Sequence, residues 1–224
     1  MKCRLMGVAV VLMAAASVAQ AGVVIGATRL IYDGGKKESS LNVNNPDKVP
    51  YLIQSWVSTQ DSGTEKAPFV ITPPLFRLNG GEGNILRVVR AGGNLPEDRE
   101  SLYWMNIKSI PTASTDEQKS QLQIAVNSRM KLIYRPKGLK GAPDERAGEL
   151  KWQRTGDQLQ VTNPTPFYMN FYSITVGGNT LKKVTFVPPM GHTSFPLPKG
   201  AGNGIHWKVI NDYGGIGEDH AASL

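Results

Sequence analysis

The segment Gln121–Pro136, QLQIAVNSRMKLIYRP, decides how the chain is read. Leu122, Ile124 and Val126 alternate with Gln123, Ala125 and Asn127, the period of a strand with one strongly apolar face. Its second half turns cationic with Arg129, Lys131 and Arg135. Pro136 ends it, because proline has no N–H to give to a ladder. One element thus carries a row of hydrophobic knobs and a fixed positive group. Those are the two things needed to capture an extended peptide by strand addition and to hold its terminal carboxylate.

On both sides of this strand, short β-rich segments alternate with turn clusters. Before it come Thr28–Tyr32, Ser40–Val43, Tyr51–Val57, Phe69–Thr72, Leu75–Leu78, Ile85–Val89 and Leu102–Ile110, separated by runs such as Asp33-Gly34-Gly35 and Asn44-Asn45-Pro46-Asp47. After it come Glu149–Gln153, Gln158–Thr162, Tyr168–Val176, Thr180–Val187, His192–Leu197 and Ile205–Asn211. Between these two sets Lys137–Gly148 is polar and rich in Gly and Pro, as a connection is. No amphipathic helix of convincing length and no internal repeat is evident. The chain therefore reads as all-β, two sandwiches at residues 22–143 and 144–224.

The first 21 residues carry Lys2 and Arg4, an apolar run from Leu5 to Ala16, and Ala19-Gln20-Ala21, the small-residue pattern of a signal-peptidase site. They predict an exported chain, and no later stretch approaches the roughly 20 apolar residues of a membrane span. Cys3, the single cysteine, lies in this leader, so disulfides are not expected. The formal charge of +7 is basic, but no Lys/Arg cluster is interleaved with aromatics as a nucleic-acid surface requires. The positive field suits an acidic protein surface or a carboxylate.

Several motifs follow one another in a specific order: Thr28–Tyr32 (TRLIY), Pro50–Val57 (PYLIQSWV), Thr72–Leu78 (TPPLFRL), Leu95–Asn106 (LPEDRESLYWMN), Lys131–Pro136 (KLIYRP), Asn163–Pro166 (NPTP) and Ile210–Gly214 (INDYG). Jointly they resemble the periplasmic pilus chaperones of the chaperone-usher pathway, the PapD-like family. The resemblance implies two immunoglobulin-like domains in an L or boomerang arrangement. It makes Arg29 and Lys131 the cleft cations that bind the terminal carboxylate of a pilus subunit, and Leu122, Ile124 and Val126 the donor strand that completes the subunit's sandwich. It groups Glu100, Arg135 and Asp212 in a salt-bridge network that fixes the domain angle. It implies a periplasmic location, release at an outer-membrane usher, and no metal, nucleotide or catalytic residue. The short polar connection Pro111–Ser120 is similar to the short-loop branch, which generally assembles rod-like pili with tip adhesins. The chain ends shortly after Tyr213-Gly214, which leaves the last strand of the second domain open. Self-association of the free form is likewise left open.

Blander readings stand beside these. The knobs could face their own core, Lys131 could be a solvated edge charge that discourages aggregation, and Arg29 an ordinary surface residue. His192, His206 and His220 match no metal-ligand spacing. Gly80-Gly81-Glu82-Gly83 reads as a hairpin turn, and Trp56, Trp104, Trp152 and Trp207 as core fillers. The rival function is an exported adhesin or carbohydrate-binding module. A hydrolase has little support, since no Gly-x-Ser-x-Gly nucleophile elbow occurs.

Overall fold

A computed structural model describes residues 22–59, 67–112 and 122–224. The leader and most of the connection that carries the short-loop reading lie outside the described residues.

The first half forms two facing sheets. One holds β1 (Val24–Ile25), β3 (Glu38–Asn44), β7 (Gly83–Arg90) and β5 (Phe69–Thr72), in that spatial order. The other holds β2 (Arg29–Asp33), β9 (Val126–Arg135), β8 (Ser101–Pro111), β4 (Tyr51–Ser58) and β6 (Leu75–Leu78). Alternation decides which side chains meet between them. Leu41 and Val43, Leu86 and Val88, Met105 and Ile107, and Met130, Leu132 and Tyr134 point into one core, while their neighbours in sequence point out.

The second half builds its own core around Phe167, Met169, Ile174, Leu159, Val161, Trp207 and Val209. Its sheets are β10 (Lys151–Thr155), β11 (Gln158–Asn163) and β15 (Gly191–Pro196), and β13 (Asn179–Thr180), β12 (Met169–Val176), β16 (Gly204–Val209) and β17 (His220–Ser223), with β14 (Phe186–Val187) also pairing β12.

Both halves use one local device. In Asn45-Pro46-Asp47 the Asn45 Oδ1 accepts from the Asp47 N–H at 3.1 Å, and in Asn163-Pro164-Thr165 the Asn163 Oδ1 accepts from the Thr165 N–H at 3.0 Å. Each asparagine is buried, and its Nδ2 donates to carbonyls across the loop, Val49 O at 2.8 Å in one case and Phe167 O at 2.7 Å in the other. The side chain mimics a backbone turn and satisfies loop carbonyls that water cannot reach.

The structure departs from the sequence reading at four places and settles a fifth that the sequence left open. The strand expected from Gln121 begins only at Val126, because its ladder with β8 stops at Ser109 opposite Val126, just short of the donor-less Pro111. Gly80–Gly83 is not a hairpin. It carries the chain from β6, paired to β4, into β7, paired to β3 and β5 in the opposite sheet. The expected Thr180–Val187 strand is only two short pieces, interrupted where Lys183 adopts φ 57°. A 3-10 helix at Asp144–Glu149 occupies the linker's end and delays β10 to Lys151; the Trp207 indole N–H donates to Ala147 O at 3.1 Å and docks it. Finally, β17 adds a last strand antiparallel to β16, so the second domain keeps its closing strand.

Leu132→Ala in the fully buried centre of β9 is expected to lower unfolding free energy by about 2–5 kcal/mol. Leu122→Ala, at a side chain 87% exposed, is expected to stay within about 0.5 kcal/mol. Urea denaturation of both variants checks this contrast.

Candidate functional site

A change of sheet creates the site. β2 runs parallel to β9 with Arg29 opposite Lys131 and Asp33 opposite Arg135. Upstream of Arg29 the chain leaves this sheet: Val24 and Ile25 pair with β3, and the Gly26 N–H donates to Asn42 O at 2.9 Å. So β9 has a strand on both sides only from Lys131 onward. Over Val126–Met130 it is bonded to β8 alone, and its other edge is open among the described residues. That open edge ends at Arg29 and Lys131.

Leu122, Ile124 and Val126 are 87%, 64% and 54% exposed. Val126 shares its parity with Met130, Leu132 and Tyr134 and so looks toward the first core, but beyond the core's rim. There, Ile124 and Val126 line a groove of about 230 Å³ with Val23, Ile25, Tyr51 and Ile107. The side is the core side, and among the described residues these three side chains stay exposed.

The opposite face of the five-stranded sheet carries Lys131, Ile133 and Arg135. Two like charges sit side by side here, away from much of the solvent. Burial, and then the Arg29 charge, pull the Lys131 amine down to about 8. Burial also lowers Arg29, against the opposing pull of Asp212. The Arg29 Nε is buried with no hydrogen-bond partner among the described residues. The Lys131 Nζ donates to Asn170 Oδ1 and lies 4.6 Å from the centre of the Phe186 ring. Beside it the Arg129 guanidinium stacks on Trp104 at 4.2 Å.

Arg135 joins the two halves of the chain. Its Nε donates to Glu100 Oε1 at 2.7 Å, and its Nη1 and Nη2 donate to the two Asp212 oxygens at 2.6 and 2.8 Å. The planar fork and the two carboxylates match in geometry. Glu100 is itself 2% exposed, and its Oε2 accepts from the Tyr168 N–H at 2.7 Å. Burial pushes its carboxyl up to about 7, although Arg135 and the Tyr168 N–H favour the charged form. The Asn163 loop presents this side of the second half: Pro166 O accepts from the Glu100 N–H at 2.9 Å, and the Phe167 ring lies 5.1 Å under the Arg135 guanidinium. Asp212 is projected by a tight loop in which Asn211 Oδ1 accepts from the N–H groups of Tyr213 and Gly215. Gly214, at φ +84°, has no room for a side chain, since a Cβ would stand 2.6 Å from Thr28 Oγ1.

The structure therefore brings Arg29 to Lys131, and Glu100 and Asp212 to Arg135. Sequence reasoning missed Tyr168, Asn170 and Phe186, which have no motif signal of their own. The tryptophans are scattered: Trp207 is core, Trp152 packs against it at 5.1 Å, and Trp56 is exposed, contrary to the core-filler expectation.

Residues 22–140 match the model for the pili and flagellar-assembly chaperone PapD N-terminal domain, and residues 145–221 that for the pili assembly chaperone PapD C-terminal domain. The chain belongs to this family. The chaperone is 46% identical over 222 residues to the probable fimbrial chaperone LpfB of Escherichia coli O157:H7, covering 97% of this chain and 95% of that one. Its fold superposes with TM-score 0.86 on a chain of the Salmonella enterica SafA pilin complex with the SafB chaperone, at 41% identity, covering 93% of this chain and 99% of that one. The periplasmic chaperone SfaE gives TM-score 0.77 at 41% identity, covering 91% and 100%.

The raised Glu100 carboxyl sets a direction for pH. Between its ordinary value of 4.5 and about 7, the folded chaperone holds a proton that the unfolded chain has released. Its contribution to stability is thus fully present below the lower value and is lost as pH rises through the upper. Thermal unfolding across this window is expected to show melting temperature falling with pH, and Glu100→Gln is expected to flatten that slope.

Proposed function

We propose that this protein is an exported chaperone that binds a pilus subunit along the open edge of β9 and passes it to an outer-membrane usher. The observation that carries the reading is where the edge stops. An incoming strand laid beside Val126–Met130 continues the row that β2 occupies further on, and its end abuts Arg29 and Lys131. If that strand runs parallel to β9, its C-terminal carboxylate meets two cations. If it runs antiparallel, its N-terminal ammonium meets them instead. Coulomb's law selects the first by several kcal/mol even at an effective dielectric of about 20.

The same anchor sets register. Side chains repeat every two residues, so a slip by one would turn the ligand's apolar row out of the groove. With the carboxylate fixed, Leu122, Ile124 and Val126 act as a donor strand that fills a gap in the subunit's sandwich. Each knob contributes roughly 1.5–3 kcal/mol when buried. The Glu100–Arg135–Asp212 network holds the two domains, residues 22–143 and 144–224, so that the cleft cations keep their place. Strand exchange makes and breaks no covalent bond, so the chaperone works without catalytic residues, metal or cofactor, and nucleic acid has no part in it. Residues 1–21 act as a leader removed on export, and the periplasmic description of SfaE supports the same compartment here.

Co-expression with a subunit from a neighbouring gene, followed by recovery of periplasmic complexes, tests this. Lys131→Ala and Arg29→Ala are each expected to abolish complex recovery while the purified variant keeps its circular dichroism and melting transition. Full complex yield from both would remove the anchoring mechanism. Glycan binding by the purified chain with no co-purifying subunit would favour the adhesin instead.

A further inference from the structure

We propose that Asn170 and Phe186 are positioning residues that hold the Lys131 ammonium in place while leaving its charge for the ligand; this rests on the reading that Lys131 binds a terminal carboxylate. Both belong to the second domain, whereas Lys131 belongs to the first. Asn170 and Phe186 are directly opposite each other in the β12–β14 pair, so their side chains stand on the same face. That face meets Lys131. The amide oxygen takes one ammonium proton, and the ring face attracts the cation through its quadrupole.

The rest of this corner fixes the two groups. Asn170 is 2% exposed, its backbone carbonyl accepts from the Ile210 N–H at 2.7 Å, and its Nδ2 donates to Tyr168 O at 3.4 Å. An ammonium only donates, so the amide must turn its oxygen to Lys131, and the Tyr168 carbonyl receives the other end. The Tyr168 ring packs edge-on against Phe186 with centroids 5.7 Å apart. Tyr168 also donates its N–H to Glu100. Unbroken contacts therefore run from Glu100, the partner of Arg135, through Tyr168 and Asn170 to Lys131.

The chemistry of the acceptor matters. An ammonium has three donors, and a neutral amide occupies one without cancelling the charge. A carboxylate at the same place would form an internal ion pair and compete with the ligand. An apolar side chain there would leave the half-buried amine beside Arg29 with only the Phe186 ring face to favour its charged form. An amide plus an aromatic face is the combination that orients the group and keeps it available.

The test uses the chaperone purified from the periplasm, with N-acetyl-Val-Thr-Phe as a free-acid probe and its C-terminal amide as control. NMR titrations read two quantities: the preference for acid over amide, and the midpoint at which the Lys131 Cε resonance titrates. Asn170→Leu and Phe186→Leu are expected to reduce the acid preference about tenfold, the weaker end of a charge-assisted hydrogen bond, with amide binding unchanged. Both are expected to lower the Lys131 midpoint. Asn170→Asp is expected to erase the acid preference while raising the midpoint, because the new carboxylate pairs with the ammonium internally. Phe186→Leu leaves the buried amide untouched and so gives a folded readout if Asn170 variants fail. Wild-type preference and midpoint in both leucine variants would overturn the proposal. Absence of acid preference in the wild type would overturn the carboxylate reading instead, and the midpoint shifts would still decide whether Asn170 and Phe186 hold Lys131.

Discussion

The proposed site at the end of β9 depends on two like charges being held next to each other and partly out of bulk water. The parallel register of β2 on β9 imposes this, because residues opposite in a parallel pair share a face and Arg29 falls opposite Lys131. Left alone, such a pair is unfavourable twice over, through desolvation and through repulsion. The second domain supplies what offsets it: Asp212 acts on Arg29, and Asn170 and Phe186 act on Lys131. A charge placed by one domain and tolerated because of the other ties the cleft to the way the domains meet.

Arg135 performs the same division of labour with opposite charges. It gives hydrogen bonds to a carboxylate from each half, Glu100 and Asp212, and all three side chains are largely buried. Buried ion pairs of this kind contribute little net stability compared with apolar side chains, and removing one partner is costly because the other is stranded. Three short, directional contacts around one guanidinium admit few arrangements of the domains. Leu102 and Ile133, cross-strand partners on that same face, are buried without belonging to either core, as a junction requires.

Most of the first domain was legible because its strands alternate cleanly: Leu75–Leu78 and Phe69–Thr72 fall where the pattern ends them. The cation pair and the Arg135 partners could be grouped only through resemblance, since Glu100 and Asp212 are far apart in sequence and periodicity is blind to that distance. The Gly80–Gly83 turn was misread because turn chemistry reports that the chain bends, not which sheet it joins next. The same blindness hid the sheet switch at Gly26 that opens the edge of β9. Asn170 and Phe186 carry no local signal: one is a single amide in a β-rich run, the other lies in a two-residue strand. Their role exists only once the fold brings Lys131 to them.

The position of the knobs on the core side bears on how selective the chaperone is. A partner docking on an outer face would be recognised by its surface, residue by residue. A partner filling the groove beside Ile124 and Val126 instead extends an apolar interior, where volume and alternation matter more than identity. Selectivity for any one apolar side chain is then modest, on the order of 1–3 kcal/mol per methylene-scale mismatch. In the proposed complex the terminal carboxylate is different, because only one end of a peptide carries the charge that two half-buried cations attract. On the proposed reading, strict selection of the end combined with loose selection of the row suits a chaperone for pilus subunits that differ in sequence.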